Sequence, residues 1–175
     1  MFYVTYLSEI IQTAALGECL RFITDGMLGK LTRWLRMLGH DVVYARDMED
    51  LEILDLAKGE QRCLLTRDSE LCRRAKNHNI EVLFVDGEND VDRLASVSRR
   101  AGLDLEVDPE VSRCPVCNGE IQSVEKNSVL DELLPTTVAS YERFWRCVQC
   151  GKVFWQGTHW TRIIQTFSEA KTRSR

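Results

Sequence analysis

No uninterrupted apolar run in these 175 residues approaches the roughly 20 needed to span a bilayer. A membrane-spanning helix is therefore excluded. There is no internal repeat and no low-complexity tract, which sets aside solenoids and biased-composition chains. Met1–Leu20 is fairly apolar but lacks the basic opening of a signal peptide. Ser8, Glu9 and Gln12 interrupt what would be its hydrophobic stretch, so a cytoplasmic protein is expected. The chain also lacks a positive charge excess: its net charge of −4 excludes nucleic-acid binding by bulk attraction alone.

What is present is ordinary for a soluble globular protein, with 44% hydrophobic and 29% charged residues. The length suits one compact domain with a small appendage. Charge is unevenly placed. Residues 113–175 carry nine Lys/Arg and six Asp/Glu, whereas residues 1–112 carry fourteen and twenty-one. A basic tail on an acidic body fits a polyanion-gripping module beside a site that collects carboxylates for cations; compositional scatter explains the same numbers equally well.

Upstream of residue 107 the chain alternates strand-like and helix-like segments. Strands are predicted at 21–24, 42–45, 62–66 and 80–85, and helices at 27–38, 51–58, 69–77 and 91–101. Leu28, Leu31, Leu35 and Leu38 share one helical face, and Gly39, Gly59 and Gly102 stand where three of the helices should stop. Such alternation implies a parallel sheet flanked by helices, an α/β fold, with ligands outside the carboxyl ends of the strands. Asp25, Asp68 and Asp86 each follow a predicted strand and fall on that edge. The pattern breaks near Val107-Asp108-Pro109-Glu110, the expected domain boundary.

Cys114-Pro-Val-Cys117 and Cys147-Val-Gln-Cys150 stand 29 residues apart. Each pair fits a tight turn offering two thiolates, and together they supply the tetrahedron of a closed, structural Zn²⁺ site. A redox pair is the alternative for a single CxxC, and iron uses the same four thiolates. A ribbon of about 60 residues with few aliphatics needs such a metal in order to fold. Cys19, Cys63 and Cys72 have no partners at ligand spacing and are read as small buried hydrophobes. Tyr141, Phe144, Trp145, Phe154, Trp155 and Trp160 are interleaved with Arg143, Arg146, Lys152 and Arg162. They form either the ribbon's own core or faces on which unpaired bases stack. His159 is a candidate RNA contact or a structural histidine.

Three acids stand out by context. Asp25 ends the first strand, Asp50 opens the helix after the second, and Asp68 follows Leu64-Leu65-Thr66-Arg67. If their strands are neighbours, they converge on one sheet edge. Clustered carboxylates with open positions suit Mg²⁺ or Mn²⁺, which activate water and stabilise the leaving oxygen in phosphodiester cleavage. Each acid is equally a natural helix N-cap. Lys30, Arg33 and Arg36 recur every third residue along the following helix, a stripe suited to a phosphate backbone or simply a solvated face.

Asp25-Gly26-Met27-Leu28-Gly29-Lys30-Leu31-Thr32-Arg33-Trp34-Leu35-Arg36-Met37-Leu38-Gly39 resembles the opening signature of the Mut-seven C-terminal RNase family. Leu64-Leu65-Thr66-Arg67-Asp68 resembles its second signature. Arg113-Cys114-Pro115-Val116-Cys117-Asn118 and Phe154-Trp155-Gln156-Gly157-Thr158-His159-Trp160 resemble its ribbon. The match runs over roughly 20–165 in the right order. It implies a PIN-like nuclease domain over 20–107, a zinc ribbon over 108–175, and metal-dependent RNA cleavage by Asp25, Asp50 and Asp68. The further acid of the PIN quartet, normally a glutamate on an intervening helix, has no room between Asp25 and Asp50. Asp47, Glu49 or Asp86 are its candidates, or the site runs on three acids.

Residues 1–19 lie outside the resemblance and are read as a leading helix or as an upstream start. The expected function is thus a Mg²⁺- or Mn²⁺-dependent ribonuclease with a structural Zn²⁺. RNA is its partner, held by Lys30, Arg33, Arg36 and His159, and no membrane or obligate protein partner is expected. The alternative is a non-catalytic RNA-binding adaptor with a vestigial site.

Overall fold

The computed structural model describes residues 20–175. The expectations for 1–19, Cys19 included, lie outside the described residues. Four strands, β1 (Arg21–Asp25), β2 (Asp41–Ala45), β3 (Cys63–Thr66) and β4 (Val82–Phe84), form one parallel sheet in the order β2-β1-β3-β4. Helices α1 (Gly29–Met37), α2 (Asp50–Gly59), α3 (Ser69–Asn77) and α4 (Asp90–Ala101) connect and cover them. The expected α/β fold with a parallel sheet flanked by helices is what forms.

Strands buried on both faces must be apolar at consecutive positions, and these are. Phe22, Leu65 and Leu83 enter one core with Leu31, Trp34, Leu35 and Leu94, from α1 and α4. Ile23, Leu64 and Val82 enter the other with Ile53, Leu54, Leu71 and Ala75, from α2 and α3. The period-two alternation of side chains along each strand thus feeds two layers of helix.

Helix ends differ from expectation in two places. The helix expected from Met27 opens with a 3-10 turn, Gly26–Leu28, because Asp25 accepts a hydrogen bond from Met27 N and tightens the start. The helix expected to stop at Gly59 includes that glycine, and the left-handed residue is Gln61, at φ 53°. Gly102, at φ 67°, ends α4 as expected.

The second sheet is antiparallel: β5 (Ile121–Val124), β6 (Phe144–Cys147) and β7 (Val153–Trp155) in that order. A short helix α5 (Pro135–Ser140) precedes β6, and a long α6 (Thr158–Ser174) closes the chain. That last helix packs back on the first sheet's layer. Phe167 and Ala170 are fully buried in the same core as Leu94 and Trp34, and the Phe167 and Trp34 rings meet edge-on with centroids 6.3 Å apart. Arg173 pairs with Asp92, and Lys171 with Asp104 and Glu106. Among the described residues no helix is long and apolar enough to cross a membrane.

Candidate active site and metal centre

Strand order reverses at β1, whose neighbours β2 and β3 lie on either side of it. In open parallel sheets the crevice outside such a switch point is where ligands bind. Asp25 ends β1 there and is only 6% exposed. Its Oδ1 accepts from Met27 N at 2.9 Å, and its Oδ2 accepts from the Thr66 hydroxyl at 2.5 Å and from Arg67 N at 3.1 Å. Among the described residues, three donors and no paired cation hold this carboxylate. A carboxylate oxygen carries about two acceptor directions, so Oδ1 keeps one open.

The same Thr66 hydroxyl that donates to Asp25 accepts from Asp68 N at 2.9 Å. One threonine therefore joins the two acids across neighbouring strands. Asp68 is exposed and caps α3: its Oδ1 accepts from Glu70 N at 2.7 Å and Leu71 N at 3.0 Å, and among the described residues its Oδ2 makes no hydrogen bond. The third acid behaves differently. Asp50 is the first residue of α2 but not its cap, which is Glu49, locked by Glu52. Asp50 is instead paired with Arg74 of α3 at 2.6 Å.

Thr66 and Arg74 were not singled out by sequence reasoning. Thr66 lay inside the second motif, whereas nothing local marked Arg74. Among the described residues, only the four ribbon cysteines bring three or more His, Cys, Asp or Glu donor atoms within 4.8 Å of one another. Asp25, Asp50 and Asp68 do not gather that closely. Of the candidates for a further acid, Asp47 is almost fully exposed beside Arg46, Glu49 caps α2, and Asp86 is exposed and paired with Arg100 at 3.7 Å.

The basic stripe divides. Lys30 pairs with Asp90 at 2.7 Å and lies over the Trp34 ring, and Arg33 is exposed. Arg36 departs from the expectation of an RNA-facing side chain. It is 6% exposed, and its guanidinium donates to the carbonyls of Val42, Pro115 and Val116. The reason is positional: Arg36 ends α1 on the side turned toward the edge strand β2, where the first cysteine turn docks. Asn118 completes the joint, accepting from Val42 N at 3.0 Å and donating to Asp41 at 2.7 Å. The outward N–H and C=O of Val42 are thereby both satisfied, and the sheet edge is covered.

The cysteine centre fits a tetrahedral ion. Cys114 and Cys150 sulfurs lie 3.7 Å apart, and those of Cys117 and Cys147 3.4 Å. Zn–S bonds of about 2.3 Å set tetrahedral sulfurs roughly 3.8 Å apart, whereas a disulfide needs about 2.05 Å. Burial pushes the Cys114 thiol up to about 12, so without a cation it stays protonated. A bound Zn²⁺ supplies the charge that makes thiolates tolerable there. The four cysteines thus can hold a zinc ion, and Arg36 places a positive charge near Cys114 and Cys117.

Of the ribbon aromatics, Phe144 and Trp145 are buried, as a core reading requires. Tyr141, Phe154, Trp155 and Trp160 are half-buried around an open cleft of about 550 Å³, with Lys152 and the exposed His159 at its wall.

Comparison with known families matches residues 20–167 to the family described as Mut7-C RNAse domain. No curated protein and no solved structure matches the chain.

Proposed function

The chain belongs to the Mut7-C RNAse domain family, and on that premise we propose that it is a divalent-metal-dependent ribonuclease acting at the Asp25–Asp68 edge of the sheet. Membership supports ribonuclease activity with RNA as the substrate. The observation that carries the finer reading is the Thr66 bridge. A buried, hydrogen-bonded carboxylate and an exposed one are held together by a single hydroxyl at the switch point.

Mg²⁺ is commonly held by one or two carboxylates together with waters and substrate phosphate oxygens, so a compact cage of three acids is not required. Asp25 and Asp68 would hold the ion, which when bound neutralises charge at the scissile phosphate and lowers the pKa of water. Asp50, now paired with Arg74, would be a third ligand on releasing that arginine. Asp25 is oriented by its three donors. Lys30 and Arg33, at the start and on the open face of α1, contact the phosphate backbone, and His159 and the zinc ribbon grip RNA elsewhere. A thiolate zinc centre suits a reducing, cytoplasmic setting.

The test is cleavage of a labelled RNA by purified chain with Mg²⁺ or Mn²⁺ added. Asp25→Asn should lower the rate at least about a hundredfold while the fold and zinc content stay intact. Undiminished cleavage by that variant would sink the assignment. The Asp50–Arg74 ion pair favours a second reading, an RNA-binding adaptor whose acids no longer bind metal. RNA binding without turnover in any divalent metal would select it.

A further inference from the structure

We propose that the cleft between α5, β7 and the first turn of α6 is a stacking groove for an unpaired stretch of RNA. The proposal rests on the ribonuclease reading for the choice of RNA, and deepens it by naming where the substrate strand is gripped.

A ribbon this small needs aromatic area for its core, and Phe144 and Trp145 supply it. The other four rings are not consumed in that way: Tyr141, Phe154, Trp155 and Trp160 remain partly open and share one cleft. Its volume of about 550 Å³ falls within the ~300–1,000 Å³ of ligand clefts.

Charge decides what enters. Among the described residues no carboxylate lines the cleft, in a chain with 27 acidic residues. Three other cations of the ribbon are paired with acids: Lys126 with Glu142, Arg143 with Glu110 and Arg146 with Glu132. Lys152 lines the cleft and, among the described residues, makes no ion pair. Ring faces next to an unneutralised ammonium and the hydroxyls of Thr136 and Ser140 match a base, a phosphate and a ribose. An apolar helix of a protein partner would call for aliphatic walls, and here they are only Val153 and Ile163. Duplex RNA is excluded as an occupant, because its paired bases cannot reach the rings.

The experiment uses the full zinc-loaded chain without added Mg²⁺ or Mn²⁺, so that binding is read apart from cleavage. A fluorescent uridylate oligomer of about 12 nucleotides is titrated at several salt concentrations. The parent chain should bind it, with tryptophan fluorescence quenched, and duplex RNA should compete poorly. Trp155→Ala should weaken binding about 5- to 100-fold. Lys152→Ala should lower the slope of log affinity against log salt by about 0.7 in magnitude, a change that a folding defect does not produce. Because Trp155 belongs to a strand of the ribbon, zinc content is measured alongside, and Lys152→Ala decides the matter should Trp155→Ala lose its metal.

Unchanged affinity and salt slope in Lys152→Ala would overturn the groove, as would a parent that binds no oligomer. If that variant is silent while the parent still cleaves RNA, the groove falls and the ribonuclease stands. If the groove binds but no metal supports cleavage, the ribonuclease falls and the groove stands.

Discussion

Replacing Arg36 by alanine separates two roles that its place on α1 makes easy to confuse. If Arg36 holds the molecule together, the cost can be estimated from its contacts. Its Nε and Nη2 donate to Val42 O at 3.0 and 2.8 Å, and its Nη1 to Pro115 O at 3.3 Å and Val116 O at 3.1 Å. Hydrogen bonds from a charged donor contribute about 1.5–3 kcal/mol each, and a buried acceptor left bare costs about 1–3 kcal/mol. Against this stands the cost of burying the guanidinium, whose pKa burial pushes down.

The terms are not additive, and a net loss of about 3–5 kcal/mol is expected, a large part of a typical total of about 5–15 kcal/mol. For a chain of this size that lowers Tm by roughly 6–20 °C. Lysine should rescue little, since one ammonium cannot span three carbonyls as the planar guanidinium does. Thermal or denaturant unfolding at fixed zinc, with metal retention measured in parallel, reads the effect. Arg33→Ala, on the exposed face, should leave stability within about 0.5 kcal/mol and weaken RNA binding instead. The reasoning is refuted if Arg36→Ala melts with the parent and loses only RNA affinity, because the side chain would then belong to the substrate surface.

Two further outcomes follow from the metal centre and from a buried histidine. Stripping zinc with a chelator should unfold the β5–β7 sheet, read as loss of near-ultraviolet tryptophan dichroism, and acid should do the same because protons compete for the thiolates; retention of that signal after metal removal would show that the sheet stands without its ion. His40 is buried, its Nδ1 accepts from Leu20 N at 3.2 Å, and burial lowers its pKa from 6.5 to about 4. The unfolded chain therefore takes up the proton first as pH falls. This contribution is fully present above about 6.5 and drains away between about 6.5 and 4, amounting to roughly 3 kcal/mol at about 1.4 kcal/mol per pKa unit. Melting temperatures across that window should fall more steeply for the parent than for His40→Gln, and parallel curves would contradict the assignment.

Legibility in the sequence followed the range of the interactions involved. The four parallel strands and their helices could be read because each is set by local periodicity: consecutive apolar residues in Leu64-Leu65, and a leucine face on the helix after Asp25. The cysteine cluster was readable because CxxC spacing fixes each half of a tetrahedron locally. What escaped was side-chain direction across elements. Lys30, Arg33 and Arg36 look alike at a spacing of three, yet helical geometry turns each by about 300° from the last, and the third arrives against the knuckle at β2. Asp50 looks like a cap in sequence, but Glu49 caps the helix and Arg74, 24 residues on, takes its carboxylate. Helix α6 falls within the span 108–175 expected for the ribbon, and its packing on the first core through Phe167 and Ala170 is a tertiary contact that no local pattern marked.

The cysteine cluster and the proposed carboxylate site lie toward opposite ends of one sheet, and this limits what a zinc ion could do. The cysteine turn reaches the sheet through Asn118 at Asp41 and Val42, the start of β2. Asp25 ends β1, in register with Ala45, the last residue of β2. At about 3.3 Å per residue, the length of β2 puts some 13 Å between those levels. Four thiolates already complete the coordination of zinc, leaving no position for water or phosphate. An ion that far from the carboxylates, and coordinatively closed, would polarise nothing at the Asp25–Asp68 edge. Its influence would pass through rigidity: it would set the turn that carries Asn118, which seals the outer edge of β2, against which β1 and therefore Asp25 are aligned. On the proposed ribonuclease reading, zinc would thus bear on the reaction only through the position of the strands, and a catalytic cation would have to be a second one, bound by oxygen.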